Sequence, residues 1–296
     1  MSDKLCKNNH KDNSKNDSSW LNVAYVQLDA TGSLAAITEA GIKALDIVVL
    51  AFADTTSADI NPSHLKAMQD IINKENPDTI NLLSIGGETV ISIPDPALVI
   101  SNISSQITEY NNQLKNGKIT GVDLDLENGI DVTTITKLAQ GFKEKGYIVS
   151  AAPQIYTSGS DIDIHVPVNL VFSSGGANNN YGIAIEHGYV DYILAQTYNT
   201  GGFKIGGYEE NQVEFFYAVS QALNSVAVRL KKIPDLTKIV IGEPANQGAG
   251  GNYTIFNPYA LPPVVRYDHA AILAQLLELK NSILKTVKTS KESLVL

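Results

Sequence analysis

Seven short apolar runs, separated by longer stretches of helical periodicity, constrain this 296-residue chain more than any other feature. The runs lie at 21–28, 46–53, 79–86, 120–127, 147–153, 190–198 and 238–243. Each is rich in β-branched residues and little interrupted by polar ones, the pattern of strands buried on both faces. Helical spacing predicts segments at 34–40, 64–74, 96–114, 133–145, 213–230 and 269–287. The third opens on Asp95 and Pro96, an N-cap followed by proline at the first helical position, where its missing N–H is no loss. Alternating strands and helices imply a parallel sheet with right-handed crossovers. Neither G-x-G-x-x-G nor G-x-x-x-x-G-K-[ST] follows the first run, which removes the usual nucleotide-site reading of an open sheet. The expected fold is therefore α/β, a (β/α)8 TIM-type barrel in one domain over 20–296,. Its eighth strand is expected to be short or missing, with 293–296 as a stub. The irregular stretch 161–188, which contains SSGGANNNYG, is expected to be a loop over a binding face,.

Charge and composition narrow the partners. The net charge is −9, with no basic run, so nucleic acid is not an expected ligand,. The single cysteine, Cys6, excludes a disulfide framework and a cysteine-based metal cluster,. Residues 1–19 are polar, without the apolar core of a Sec signal, and are expected to be a disordered leader,. The location expected on that ground is the cytoplasm, or outside the cell by another route. No apolar run reaches membrane-spanning length,. A monomer is expected.

The chemistry concentrates in TGVDLDLENG, 120–129. Side chains alternate across a strand, so Asp123, Asp125 and Glu127 share one face and Val122, Leu124 and Leu126 the other,. In a barrel the apolar set packs against the outer helices and the carboxylates line the interior. Burial and mutual repulsion then disfavour the charged forms, and one carboxyl is expected to stay protonated near neutral pH. Such a group beside ionised ones suits general-acid cleavage of a glycosidic bond, and Glu127 sits at the C-terminal rim where barrel active sites form. A solvated acidic face or a calcium loop would use the same residue types. The loop reading places Asn128 where an EF-hand needs glycine, and the flanking apolar strands favour an interior row.

With these residues in view, the chain resembles the family 18 glycoside hydrolases, particularly the compact plant-type chitinases. Gly121, Asp123, Asp125 and Glu127 match the D-G-x-D-x-D-x-E strand of that family. LAFAD at 50–54, LSIGGE at 83–88, SAAPQ at 150–154 and AQTYN at 195–199 match its second, third, fifth and sixth strands, and GEPA at 242–245 matches its seventh more weakly. The resemblance implies cleavage of β-1,4-N-acetylglucosamine linkages with retention, the substrate's own N-acetyl carbonyl acting as nucleophile. It assigns Glu127 as acid and then base, Asp125 as the group orienting the acetamido, Asp123 as its tuning partner and Tyr198 as a hydrogen-bond donor to the acetamido carbonyl. Tyr25, Gln154, Gln196 and Asn199 are the implied sugar contacts. No metal or organic cofactor is implied, and chitin or N-acetylglucosamine oligosaccharides are the implied partners. Endo-β-N-acetylglucosaminidase action on N-glycans and a non-catalytic chitin-binding barrel, lectin- or inhibitor-like, are the alternative readings.

Two departures stand against the family pattern. The first Asp of the strand-four motif is Thr120 here, which is expected to weaken charge sharing along the row. The strand-eight Trp that floors the central sugar subsite has no counterpart, because Trp20 is the single tryptophan,. His10, His64, His165, His187 and His269 are scattered, with no H-E-x-x-H and no carboxylate companion, so no zinc site is expected,.

Overall fold

The computed structural model describes residues 21–29, 39–159, 161–199, 202–210 and 212–242. A nine-stranded sheet runs through them. Strands β1 (Val23–Gln27), β2 (Ile47–Ala51), β3 (Ile80–Gly87), β4 (Ile119–Leu126) and β5 (Ile148–Ala151) pair in parallel, in chain order. A hairpin of β6 (Gln154–Thr157) and β8 (Leu170–Ser173) follows, with a two-residue β7 (Asp161–Ile162) between its arms. The parallel order then resumes with β9 (Tyr192–Gln196), beside β5 and touching β6 through Gln154 and Gln196. A second short strand, β10 (Lys204–Ile205), pairs with β7, and β11 (Lys238–Gly242) pairs with β9.

All seven sequence-derived strands therefore occur, as β1 to β5, β9 and β11. The sheet curls as part of a TIM-type barrel, and among the described residues β1 and β11 are not joined to each other. The expected eighth strand, the helix at 269–287, Trp20, residues 1–19 and residues 243–245 of GEPA lie outside the described residues. Stretch 161–188 differs from expectation: it holds β7, β8 and the short helix α5 (Gly182–Glu186) instead of a plain loop. Its periodicity is hidden because the β6–β8 hairpin is only four residues wide.

The remaining helices are α1 (Glu39–Lys43), α2 (Pro62–Ile72), α3 (Pro96–Gln113), α4 (Val132–Glu144) and α6 (Val213–Val228). Capping explains where α2, α3 and α4 start, the first through Asn61, which accepts from the Ser63 N–H. Asp95 accepts from the backbone of Ala97 and Leu98 ahead of α3, and Asp131 from Thr133 and Thr134 ahead of α4,. Helix α4 buries Ile135, Leu138, Ala139 and Phe142, a stripe of helical period, each large one stabilising by roughly 1.5–3 kcal/mol on burial,.

Two apolar layers result. Val48, Leu50, Leu83, Val122, Leu124 and Leu126 join the outer core beneath the helices. Ile47, Val49, Leu82, Ala152 and Leu194 form a smaller inner cluster on the barrel-interior face. Towards the C-terminal end that interior face turns polar, and there the strand-four carboxylates stand.

Candidate active site

Asp123 is fully buried and receives three hydroxyl donors from three strands. Tyr25 of β1 donates to Oδ2 at 3.0 Å, Ser84 of β3 to Oδ2 at 2.7 Å, and Ser150 of β5 to Oδ1 at 2.5 Å. The strand register explains the fit, because Ser84, Asp123 and Ser150 lie side by side across the sheet. Desolvation raises the Asp123 pKa, while the Ser150, Ser84 and Tyr25 hydroxyls oppose it,. The Tyr25 ring leaves 41 % of the residue exposed; the buried end is the hydroxyl, whose ionisation is pushed far up by desolvation and then by Asp123 and Asp125.

Asp125 lies one step nearer the rim, 7 % exposed. Gln196 of β9 donates to its Oδ1 at 2.8 Å and to the Ala152 carbonyl at 3.0 Å. Burial raises the Asp125 carboxyl well above its ordinary range, and the charges of Asp123 and Glu127 push the same way. Glu127 stands half-buried just past the end of β4. Its pKa is raised too, first by desolvation and then by the charge of Glu88. Three carboxyls on one strand face are thus all shifted towards their protonated forms.

Glycines let the strands come close enough for this. A Cβ on Gly86 would lie 2.0 Å from the Asp125 carbonyl oxygen, and the residue holds φ +123°, a conformation rare for side-chain-bearing residues,. A Cβ on Gly121 would lie 2.2 Å from the Ile148 carbonyl. Gly86 and Gly121 are therefore spacing elements, the first for β3 against β4 and the second for β4 against β5.

The other sequence-selected residues gather at the same end. Gln154 faces Gln196 across the β6–β9 pair. Tyr198 stands near enough to Tyr25 that ionisation of one phenol would disfavour that of the other. Asn199 follows with φ 56°, and its backbone N–H donates to Glu210 at 2.8 Å. Thr120 stands apart. It is exposed at a register shift near the start of β4, with its hydroxyl 3.4 Å from the Asn81 carbonyl. The contacts that favour ionised Asp123 come from hydroxyls on β1, β3 and β5, so position 120 takes no part in the row.

Several residues around the row carry no mark in the sequence. Tyr181 is fully buried; its hydroxyl accepts from the Leu126 N–H at 2.7 Å and lies 3.0 Å from the Leu124 and Leu126 carbonyls, holding the end of β4. Glu210, 8 % exposed, anchors the turn after Tyr198. Ser84 and Ser150 fall inside segments already singled out, yet a strand serine gives no sign of its partner. One expectation is corrected: His64 does have a carboxylate companion, its ring nitrogen lying 2.6 Å from Asp29 Oδ1. That is a single pair, and among the described residues no group of three His, Cys, Asp or Glu is arranged to hold a metal ion. No helix of the described residues is long and apolar enough to cross a membrane.

No protein-family model matches this chain. None of the curated proteins matches it. Solved structures do. A Streptomyces coelicolor protein assigned as chitinase A superposes with a TM-score of 0.52 at 21 % identity, covering 77 % of this chain and 76 % of that one. A family 18 N-acetylglucosaminidase from Paenibacillus barengoltzii gives a TM-score of 0.46 at 15 % identity, over 76 % of this chain and 68 % of that one. A chitinase from Chromobacterium violaceum gives 0.46 at 14 %, over 77 % and 69 %. The resemblance of the sequence to the family 18 glycoside hydrolases is thus met by a likeness of fold: this chain carries the (β/α) architecture of the Streptomyces coelicolor protein.

Proposed function

We propose that this chain is a retaining glycoside hydrolase that cleaves β-1,4-linked N-acetylglucosamine, with Glu127 as its proton donor. The observation that carries the reading is the graded row of carboxyls: Asp123 sealed by three hydroxyls, Asp125 held by Gln196, and Glu127 at the rim with its pKa raised. An acid whose pKa is lifted towards neutrality retains a proton to give to a leaving oxygen. In this reading Glu127 protonates the glycosidic oxygen as the C1–O bond breaks. The substrate's acetamido oxygen bonds to C1 in the same step, giving an oxazolinium. Glu127, now a carboxylate, takes a proton from water as that water opens the ring, and the configuration at C1 is retained. Asp125 orients the acetamido group and balances its developing positive charge; pressure from Asp123 and Glu127 makes Asp125 the stronger base,. Tyr198 supplies a donor to the acetamido oxygen.

The test is product release from a soluble N-acetylglucosamine oligomer between acidic and neutral pH, wild type against Glu127→Gln. Wild-type turnover that falls by about 10³-fold or more in the variant supports the assignment. Binding of the oligomer without any release by wild type sinks the hydrolase reading and leaves a sugar-binding barrel. Release from a high-mannose glycoprotein but not from the oligomer moves the substrate to N-glycan cores.

A further inference from the structure

Residue 128 immediately follows the candidate acid and holds φ 60°, the left-handed region that asparagine tolerates better than most residues,. Its side-chain amide donates to two carbonyls of the β3–α3 loop, Glu88 at 2.7 Å and Val90 at 3.2 Å. Both of its hydrogens are thereby used, so the amide's orientation is set. On the other side the next residue, Gly129, donates its N–H to the Ser174 carbonyl at 2.6 Å, fixing the β4–α4 loop against the end of the β6–β8 hairpin. The same two loops also line a cleft of about 220 Å³, with Ile91, Ser92, Ile93 and Pro94 from one and Gly129, Ile130 and Asp131 from the other. Position 127 lies just past the end of β4 at Leu126.

We propose that Asn128 is a positioning residue for Glu127: its amide staples the β4–α4 loop to the β3–α3 loop, fixing where the acid stands at the rim and how near Glu88 lies to it. The inference rests on Glu127 being the acid and adds what sets that acid's place. The titratable groups around Glu127 are Asp125 on its own strand, Glu88 across the staple and the Tyr181 hydroxyl ahead of α5. Glu88 is the neighbour whose charge adds to the burial effect at Glu127, and it is the residue whose carbonyl the staple grips. Backbone position and acid strength are therefore set by one side chain.

The experiment uses the full chain, as wild type, Asn128→Gly and Glu88→Gln. Glycine keeps the left-handed backbone and removes both donors, so strain does not confound it. Two readouts are taken on protein shown to be folded by circular dichroism: the pH profile of oligomer turnover, and the titration of Glu127 followed by NMR of ¹³C-labelled carboxyls. Asn128→Gly is expected to lower kcat by about 10- to 100-fold with KM changed by less than about threefold, as a misplaced acid does. Glu127 should titrate at lower pH in both variants, because one moves Glu88 away and the other removes its charge. An unchanged kcat together with an unchanged titration in Asn128→Gly overturns the proposal. If wild type turns over no oligomer, the hydrolase reading fails by itself. The NMR titration then still decides the staple: a downward shift in Asn128→Gly upholds it and an unshifted curve removes it.

Discussion

The Gln196 amide spends one hydrogen on Oδ1 of Asp125, at 2.8 Å, and the other on the Ala152 carbonyl, at 3.0 Å. The side chain is therefore pinned at both bonds, and it presents a donor to a carboxyl whose pKa burial and two neighbouring charges raise well above the ordinary range. Gln196 opposes the shift at Asp125; the three hydroxyls do the same at Asp123.

Gln196→Leu should follow from this directly. Losing the donor leaves the Ala152 carbonyl buried without that partner and removes the group that favours ionised Asp125. A loss of about 1–3 kcal/mol in stability is expected. Turnover of an N-acetylglucosamine oligomer should fall by about 10- to 100-fold, through kcat. Thermal melts and steady-state kinetics on the same preparation check both. Full activity would mean that Asp125 needs no help from β9.

Asp125→Asn separates stability from activity. The folded pKa of Asp125 lies well above its unfolded value of about 3.9, so the fold favours the neutral form,. Its contribution is fully present below the unfolded pKa and is lost as pH rises through the folded one. Asparagine stays neutral at every pH. The variant should therefore melt higher than wild type at pH 8 by at least about 2 °C, the shift that ~1 kcal/mol produces in a domain of this size. The gap should close near pH 4, where the wild-type carboxyl is protonated. Turnover should be lost in the same variant. Equal melting at both pH values would mean that Asp125 is solvated in the native state.

What could be read from the residues alone follows from period and register. Asp123, Asp125 and Glu127 were placed on one face because strand side chains alternate, and that placement needs no tertiary knowledge,. Asp95 announces its helix through a bond that reaches only three residues along the chain. The partners of the row are a different matter. Tyr25, Ser84 and Ser150 meet Asp123 from 98, 39 and 27 residues away, and Tyr181 meets Leu126 from 55. Only the strand order brings them together. Glu210 reaches Asn199 from 11 residues away, a separation that no strand or helix period marks. The β6–β8 hairpin escaped for a related reason, since four-residue arms leave too few positions for alternation to appear.

Gly86→Ala tests how closely β3 and β4 approach. The added methyl would sit 2.0 Å from the Asp125 carbonyl oxygen, on a backbone at φ +123°. Backbone on both sides leaves no flexible side chain to yield, so either the strands separate or the residue changes conformation. A loss of about 3 kcal/mol or more is expected. Melting temperature would report it, and the Ser84–Asp123 bond two residues away should weaken with it. A variant that melts within about 2 °C of wild type would show that the strand pair has slack.

At the opposite end of the barrel, Asn81 donates to Glu75 Oε2 at 2.9 Å, while Glu75 Oε1 and Asn81 Oδ1 are buried with no hydrogen-bond partner. Two acceptors beside one shared bond lack a single proton. Burial raises the Glu75 pKa, against a smaller lowering by Asn81, which is the direction that would supply it. A protonated Glu75 can donate from Oε1 to Asn81 Oδ1 and complete an acid–amide ring. The stabilisation should be fully present below the unfolded pKa of about 4.3 and be lost as pH rises through the higher folded value. Glu75→Gln keeps the shape and supplies an N–H at every pH. It should raise stability at neutral pH by about 1 kcal/mol, the scale of one buried acceptor satisfied. Below pH 4 the two proteins should melt together. Melting curves taken from pH 3.5 to 8 decide it: a Glu75→Gln variant less stable than wild type at pH 8 would mean that Glu75 is ionised in the fold and that its charge is held by water.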